Sequence, residues 1–284
     1  MQRIAFFSDT HVSAKHGFFV ENALATIAAI NALQPDLVVH GGDLSVNGAE
    51  DADDLAFSAR LLKRVAPPLA IIPGNHDIGE EPHALHLNQP IDAARIARYR
   101  AAFGADWWVH DLGDWRIIGL NSLLIGSGLG AEKEQRAWTE STLAAARPRP
   151  IGVFLHKPLQ LESPEEAGQP EWTIDPRARE DYRTLFMEHG VRLVGSGHLH
   201  QSRARLMDGM LHVWAPSCGF VFGKALGGEQ TLGFSLLELS EDGAASARFV
   251  RPAALVDHDY AAIKGNGRYR YLNECPPAPW RGEM

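Results

Sequence analysis

Short apolar runs recur along the whole chain and predict buried β-strands. Each run is too short for a helix, and each is rich in β-branched or aromatic residues. The runs are RIAFFS (3–8), DLVVH (36–40), LAIIP (69–73), WRIIGLN (115–121), IGVFLH (151–156), VRLVGS (191–196), LHVWAP (211–216) and LGFSLLEL (232–239).

Helical patterns lie between the early runs. Residues 20–33 (VENALATIAAINAL) and residues 53–65 (DDLAFSARLLKRV) each place aliphatic side chains along one stripe of a helix. Strands and helices that alternate at this spacing predict βαβ units, and therefore an α/β fold. After about residue 205 the helical patterns stop while strands continue. That change predicts a second, more antiparallel sheet packed against the first.

The chain length fits one large domain with two long inserts. At 284 residues we expect a single domain over residues 1–252, followed by an irregular tail over residues 253–284. Excursions from the core are expected at residues 77–105 and 157–180, and loops of this length are usually functional. The tail contains several aromatic residues and prolines, and we expect it to cover a surface or to bind a partner.

Charge and composition exclude several classes of function. The net charge of −8 repels nucleic acid polymers and anionic membrane surfaces. No apolar run is long enough to cross a bilayer, and the first residues, MQRIAFFSDT, do not resemble a secretory signal. Only two cysteines occur, Cys218 and Cys275, so we expect a cytoplasmic protein. The expected partner is a small molecule, and a homo-oligomer is compatible with the sequence.

Side chains that bind metals follow five of the apolar runs. Because ligands gather outside the carboxyl ends of strands in an open α/β sheet, these five segments are expected to converge. In extended backbone, residues i and i+2 project to the same side, so each pair separated by one residue can face one point. Glycines precede three of the groups and leave room for an ion. The groups are Asp9 with His11, Asp43, Asn75 with His76 and Asp77, His156, and His198 with His200.

The number of donors predicts two metal ions rather than one. Without His76 there are seven protein ligands, too many for one tetrahedral ion, and a bridging carboxylate would make them suit a pair of ions. Asp43 is the expected bridge. One ion would then be held by Asp9, His11 and His200, and the other by Asn75, His156 and His198. Nitrogen and oxygen donors without sulfur suit manganese, iron, zinc or cobalt.

The ordered motifs DTH, GGD, GNHD, LH and GHLH resemble those of the calcineurin-like metallophosphoesterase superfamily over about residues 3 to 205. The ligand assignment above agrees with that family's pattern. The resemblance implies a four-layer αββα sandwich of two mixed β-sheets flanked by helices, with a dinuclear metal site at the sheet edge. It also implies phosphoester hydrolysis. Within the superfamily, the chain looks most like the bacterial class III cyclic-nucleotide and glycerophosphodiester phosphodiesterases.

The expected mechanism follows from that site. A hydroxide held between two manganese or iron ions would attack phosphorus in line. His76 would face the cleft and stabilise or protonate the leaving oxygen, and Asp77 would orient it or cap the following turn. A phosphomonoesterase or pyrophosphatase could use the same site. A scaffold without catalytic activity is disfavoured, because relatives of that kind lose ligands that are present here.

Other polar residues carry weaker expectations. His40 is expected to support the site from behind or to pack in the core. Lys157 could contact the phosphoryl group. His83 and His86, on the first excursion, could line the mouth of the substrate cleft.

Overall fold

The computed structural model describes residues 1–82, 84 and 88–283. Within these residues the strands form two sheets, both with parallel and antiparallel neighbours. The strands are β1 (Gln2–Phe7), β2 (Leu37–His40), β3 (Leu69–Ile71), β4 (Trp108–Leu112), β5 (Trp115–Gly119), β6 (Ile151–Leu155), β7 (Val191–Ser196), β8 (Arg203–Met207), β9 (Met210–Trp214), β10 (Phe234–Leu239) and β11 (Ala245–Val250).

The helices connect the parallel strands and continue into the tail. They are α1 (Val20–Leu33), α2 (Ala52–Leu62), α3 (Asn75–Ile78), α4 (Ala93–Phe103), α5 (Gly130–Ala144), α6 (Pro176–Glu188) and α7 (Tyr260–Ile263), with 3₁₀ turns at Ser122–Leu124 and Leu272–Glu274. No helix of the described residues is both long enough and apolar enough to cross a membrane.

The strand order keeps the parallel strands of each sheet next to one another. The first sheet has the order β11-β10-β1-β2-β3, and the second has the order β4-β5-β6-β7-β9-β8. Strands β1 to β3 are parallel, and so are β5, β6, β7 and β9, while β10, β11, β4 and β8 pair antiparallel. The carboxyl ends of the parallel strands form the edge at which a site is expected.

Alternating side chains pack each sheet on both faces. From β1, Ile4 and Phe6 point into the layer between the two sheets, where the Phe6 and Phe154 ring centroids are 4.8 Å apart. Ala5 and Phe7 point to the other face, where the apolar sides of α1 and α2 cover them. On the second sheet, α5 and α6 cover the outer face in the same way. These layers confirm the predicted four-layer αββα sandwich.

The structure confirms the predicted strands and corrects the arrangement of the last ones. The expectation that the strands after about residue 205 form a second, more antiparallel sheet is wrong, because they are divided between the two sheets. Strand β9 continues the second sheet beside β7, whereas β10 returns to the first sheet and pairs with β1. Each sheet is thus completed by a strand from the C-terminal part of the chain.

A buried ion pair joins the two excursions. The ammonium group of Lys157 pairs with the carboxylate of Glu81 and also donates to the carbonyl of Pro170. Both side chains are almost fully buried, with exposed fractions of 2 % and 1 %. Lys157 therefore fastens residues 157–180 to the segment after α3, and its ammonium is already engaged there rather than offered to a phosphoryl group.

We predict that Lys157→Met lowers the free energy of unfolding by about 3–5 kcal/mol, because it leaves Glu81 as a buried charge without its partner. Urea denaturation measures the change. Lys133→Met, on the exposed face of α5, is the matched control and should change the free energy by less than about 0.5 kcal/mol. The double variant Lys157→Met/Glu81→Leu should recover most of the loss. A change at Lys157 no larger than the one at Lys133 would contradict a stabilising pair.

Candidate metal centre

The seven predicted ligand residues lie together in the loops that follow β1, β2, β3, β6 and β7. All seven are buried, with exposed fractions of 7 % or less. Two hydrogen bonds join the first two loops, from Asp9 N to Gly42 O and from His11 N to Asp43 O, each 3.0 Å long. A third joins Gly197 N to His156 O at 3.0 Å. The loops thus extend the order of the sheets beyond the ends of the strands.

Backbone conformation at the site differs from the predicted extended geometry. Both members of each i, i+2 pair lie in the left-handed region, with φ values of 57° at Asp9, 42° at His11, 68° at His198 and 52° at His200. Asp43 also has a positive φ of 53°. The side chains converge because the chain turns at each of these residues, rather than through alternation along a strand. Non-glycine residues in this region are strained, and such strain is concentrated at functional sites.

Glycines allow the closest approaches between the loops. A Cβ atom on Gly74 would lie 2.1 Å from Asp43 Oδ1, and one on Gly197 would lie 2.0 Å from Ser8 Oγ. Both distances are far inside van der Waals contact, and the nearby atoms belong to the ligand loops. Glycine is therefore required at both positions for the loops to pack as they do.

The donor atoms form two groups that share Asp43. In the first group, His200 Nε2 lies 3.2 Å from His11 Nε2 and 3.3 Å from Asp9 Oδ1. In the second group, His156 Nε2 lies 3.2 Å from Asn75 Oδ1 and 3.1 Å from His198 Nδ1.

Asp43 lies between the two groups. Its Oδ2 atom is 3.7 Å from His11 Nε2 and 3.4 Å from His156 Nε2, while Oδ1 accepts a hydrogen bond from His76 N at 2.9 Å. One carboxylate oxygen is therefore held by the backbone, and the other faces both groups.

Three imidazole rings are oriented by backbone carbonyls. His156 Nδ1 lies 2.8 Å from Gly41 O, His200 Nδ1 lies 2.6 Å from Phe220 O, and His198 Nε2 lies 2.7 Å from Glu171 O. Because a carbonyl oxygen only accepts, the proton of each neutral ring belongs on this outer nitrogen. The inner nitrogens then direct lone pairs at one another, as metal-ligating histidines do.

The chemistry of the donor set fits metal ions. Asp9 Oδ1 is buried and has no hydrogen-bond partner, although its Oδ2 accepts from His198 N at 3.0 Å. Unpaired oxygen and nitrogen lone pairs that converge in a buried place are costly unless a cation lies among them. With three or more nitrogen and oxygen donors on each side of Asp43, the residues fit a dinuclear site.

The electrostatics keep both carboxylates ionised. Burial alone would raise the pKa of Asp43, but His156 and His76 beside it hold that pKa well below its usual range. Burial would also raise the pKa of Asp9, and the neighbouring His200 outweighs it, so this pKa too is lowered. Without ions, Asp43 raises the pKa of His156 to about 9 against the effect of burial, and a bound cation would take the place of that added proton on Nε2. Burial, reinforced by a neighbouring histidine, keeps the pKa of His11 and of His198 well below the usual value.

His76 is partly exposed beside this cluster. Its ring centroid is 4.6 Å from that of His11, and its Nδ1 lies 2.8 Å from Val46 O. One ring nitrogen of His76 also lies within 4.8 Å of donor atoms of His11 and Asp43. That distance is short enough for the three residues to share an ion, so the metal content of a His76 variant has to be measured.

Asp77 does not pair with His76. Its carboxylate accepts hydrogen bonds from Leu44 N at 3.1 Å, from Ser45 N and Oγ at 3.1 and 2.7 Å, and from Gly74 N at 2.9 Å. It therefore joins the loop after β2 to the loop after β3. The expected contact that orients His76 comes instead from the carbonyl of Val46.

His40 supports the same loops from the core. Gly42 N donates to His40 Nδ1 at 3.2 Å, which leaves the proton on Nε2, and this atom lies 3.1 Å from Thr10 Oγ1. The Thr10 hydroxyl then donates to Leu44 O at 3.0 Å. Burial lowers the pKa of His40 to about 3, so the ring is neutral.

The cluster opens into a cavity of about 300 Å³. Besides His11, Asp43 and His76, its lining includes side chains that sequence reasoning did not single out. For the residues of the tail the only signal was its richness in aromatic residues, and for Trp172 it was the length of the excursion over residues 157–180. His83 and His86, predicted at the cleft mouth, lie outside the described residues. The added lining residues include Trp172, Phe222, Tyr260, Lys264, Arg270 and Tyr271.

Comparisons with known proteins agree with this site. The family model described as calcineurin-like phosphoesterase matches residues 2–202. A human protein named serine/threonine-protein phosphatase CPPED1 is 28 % identical over 241 residues, which cover 76 % of this chain and 74 % of the relative. A probable cyclic nucleotide phosphodiesterase of Moraxella catarrhalis is 28 % identical over 208 residues, which cover 68 % of this chain and 69 % of the relative.

A solved structure shows the same fold. The purple acid phosphatase PPD1 of yellow lupin superposes with a TM-score of 0.64 at 15 % identity, covering 99 % of this chain and 57 % of that protein. The residues that the family model matches include the loops that carry all seven donor residues. The chain therefore belongs to the calcineurin-like phosphoesterase family of metal-dependent phosphoric ester hydrolases.

Proposed function

We propose that the protein is a phosphodiesterase that hydrolyses small phosphodiesters of the cyclic nucleotide or glycerophosphodiester type. The observation that carries this proposal is the pair of cavities around His76. His76, Arg270 and Tyr271 line both the cavity at the metal centre and a second cavity of about 300 Å³. A phosphodiester has two arms on one phosphorus, and two adjoining cavities give each arm a place. A monoester would fill only one of them.

The proposed ligand sets follow the two groups of donor atoms. Asp9, His11 and His200 would hold one ion, Asn75, His156 and His198 the other, and Asp43 Oδ2 would serve both. Manganese, alone or with iron, is the proposed metal. When bound, two such ions supply an activated water as nucleophile and neutralise charge on the phosphoryl oxygens.

His76 is the proposed catalytic side chain. Since Val46 O accepts from its Nδ1, its Nε2 is the nitrogen available to the substrate. As an imidazolium the ring also carries a proton on Nε2, which it can deliver to the leaving oxygen, and it is left as the neutral ring that donates to Val46 O. Asp77 acts as a positioning residue, because it fixes the loops that carry Asp43 and Asn75.

A phosphomonoesterase or pyrophosphatase is the second candidate. It is favoured by the human relative, which is named as a phosphatase and aligns over more residues than the cyclic nucleotide phosphodiesterase. We further propose a cytoplasmic location, because Cys218 and Cys275, both in the described part of the chain, are free thiols.

We predict that Asp43→Asn lowers the occupancy of both metal ions, because an amide carries no charge and offers a single oxygen. Metal analysis of the purified variant measures the stoichiometry. Asp114→Asn makes the same chemical change on an exposed turn before β5, at the other end of the sheet, and should bind as much metal as the wild type. Full loading of both sites in Asp43→Asn would refute the shared carboxylate.

His76→Ala is expected to lower kcat by about 10²–10⁴-fold with the metal content intact, since it removes a proton donor and no ligand. The same substitution at His110, an exposed residue of edge strand β4, should leave both quantities near the wild-type values. Loss of metal from His76→Ala would instead make His76 a ligand.

The substrate type is tested with manganese-loaded enzyme on bis-p-nitrophenyl phosphate and p-nitrophenyl phosphate. We expect kcat/KM to be at least about tenfold higher for the diester than for the monoester, because the second arm of the diester binds in the second cavity. A tenfold difference corresponds to about 1.4 kcal/mol. Asp43→Asn, assayed in parallel, excludes a contaminating phosphatase. A preference for the monoester would overturn the diesterase proposal and favour the second candidate.

A further inference from the structure

The tail is anchored at both ends to one short stretch near the start of the chain. Val256 N donates to Asn22 Oδ1 and Asn22 Nδ2 donates to Val256 O, both at 2.9 Å. Further along, Ala278 N donates to Lys15 O and Ala278 O accepts from Gly17 N, again at 2.9 Å. The residues between these anchors pass along the metal cavity.

The part of the tail beside the cavity is packed rather than loose. The Tyr260 ring stacks on Phe220 with centroids 4.3 Å apart and an interplanar angle of 2°. Leu272 is 3 % exposed and joins the apolar cluster that contains Phe19 and Val46. Residues 260–272 form a wall of the cavity that Tyr260 and Leu272 hold in place, while most residues between these two are exposed.

Two cationic side chains belong to this wall, Lys264 and Arg270. Lys264 Nζ lies 4.8 Å from the ring centroid of Tyr260, and Arg270 Cζ lies 4.9 Å from that of Tyr271. Among the ion pairs of the described residues, neither cation has a carboxylate partner. Glu274 accepts from the backbone N–H of Arg270, and Glu171 lines the same cavity. Two cations without carboxylate partners at one cavity are notable in a chain with a net charge of −8.

Charge balance indicates what these cations bind. Two divalent ions would outweigh the carboxylates of Asp9 and Asp43 by two positive charges. The attacking hydroxide would cancel one of these and the single negative charge of a phosphodiester the other. Lys264 and Arg270 therefore exceed what the scissile group needs. Lys264 is half-buried and Arg270 is exposed, and two cations at one cavity attract anions to it.

We propose that Arg270 and Lys264 form an anion subsite, so that the preferred substrate is a phosphodiester whose arm carries a second negative group, a carboxylate or a phosphate. This inference rests on the proposed diesterase function. A cavity of about 300 Å³ lies at the small end of ligand pockets, so the arm is short. Arginine binds carboxylate and phosphate through paired N–H donors, which gives the subsite its preference for these groups.

The test uses three p-nitrophenyl phosphodiesters with the same leaving group and second arms of equal length that end in a carboxylate, a carboxamide or a methyl group. For the manganese-loaded wild type we expect kcat/KM to be at least about tenfold higher for the carboxylate arm than for the carboxamide arm, and tenfold corresponds to about 1.4 kcal/mol. In Arg270→Gln this ratio should fall to about one, and in Lys264→Gln it should fall part of the way. Added salt should lower the wild-type ratio.

Arg268→Gln is the matched control. Arg268 lies two residues from Arg270 on the same segment and is exposed as Arg270 is. Its guanidinium lies 5.3 Å from the Tyr269 ring, and it does not line the cavity. This variant should keep the wild-type ratio. A wild-type ratio near one would overturn the proposal. So would an Arg270→Gln variant that loses activity equally on all three substrates, because the cation would then act at the scissile phosphate.

A binding measurement separates this inference from the proposed function. Calorimetry with the manganese-loaded enzyme compares 4-phosphonobutyrate with its carboxamide analogue, neither of which needs to be hydrolysed. We expect about tenfold tighter binding of the carboxylate, lost in Arg270→Gln and kept in Arg268→Gln. If no diester is hydrolysed but this preference is present, the diesterase proposal fails and the anion subsite stands. Equal binding of the two probes would overturn the subsite.

Discussion

The close approach of buried oxygen and nitrogen donors is the constraint around which the rest of the structure is arranged. His11, His156, His198 and His200 bring ring nitrogens within about 3.1–3.3 Å of other donors, where lone pairs repel. Five of the seven donor residues also hold left-handed backbone, at a cost of about 1–2 kcal/mol each. The sum is comparable with the net stability of a whole domain, about 5–15 kcal/mol. Hydrogen bonds between the loops, and ions when bound, must offset it.

The strands were predictable where burial on both faces leaves a continuous apolar run. Strands β2 and β6 are buried along their whole length, and their sequences LVVH and IGVFL contain scarcely a polar residue. The strands without a prediction are β4, β8 and β11, and all three are edge strands with exposed or half-exposed residues. An edge strand needs little apolar surface, because its pairing comes from backbone hydrogen bonds to one neighbour.

The convergence of the site was predictable, whereas its local geometry was not. Motifs at the carboxyl ends of parallel strands must meet at one edge, whatever conformation each loop adopts. The left-handed turns were not predictable from residue type, because aspartate and histidine are enriched in this conformation but most residues of these types adopt others. Asp77 and His76 are adjacent in sequence, but they lie on a helical turn, where neighbouring side chains point in different directions. Asp77 therefore faces the buried loops while His76 faces the cleft.

The walls of the cavity are coupled to the metal centre through backbone carbonyls. The excursion over residues 157–180 supplies the carbonyl of Glu171, which fixes His198, and the Lys157–Glu81 pair fastens that excursion to the fold. The carbonyl of Phe220 fixes His200, and the Phe220 ring is stacked on Tyr260 of the tail. Each wall thus lines the cavity. Each wall also supplies the carbonyl that keeps the proton of one donor histidine on its outer ring nitrogen. A change in either wall should reach the metal centre through one carbonyl, so selection of the substrate and retention of the metals depend on the same contacts.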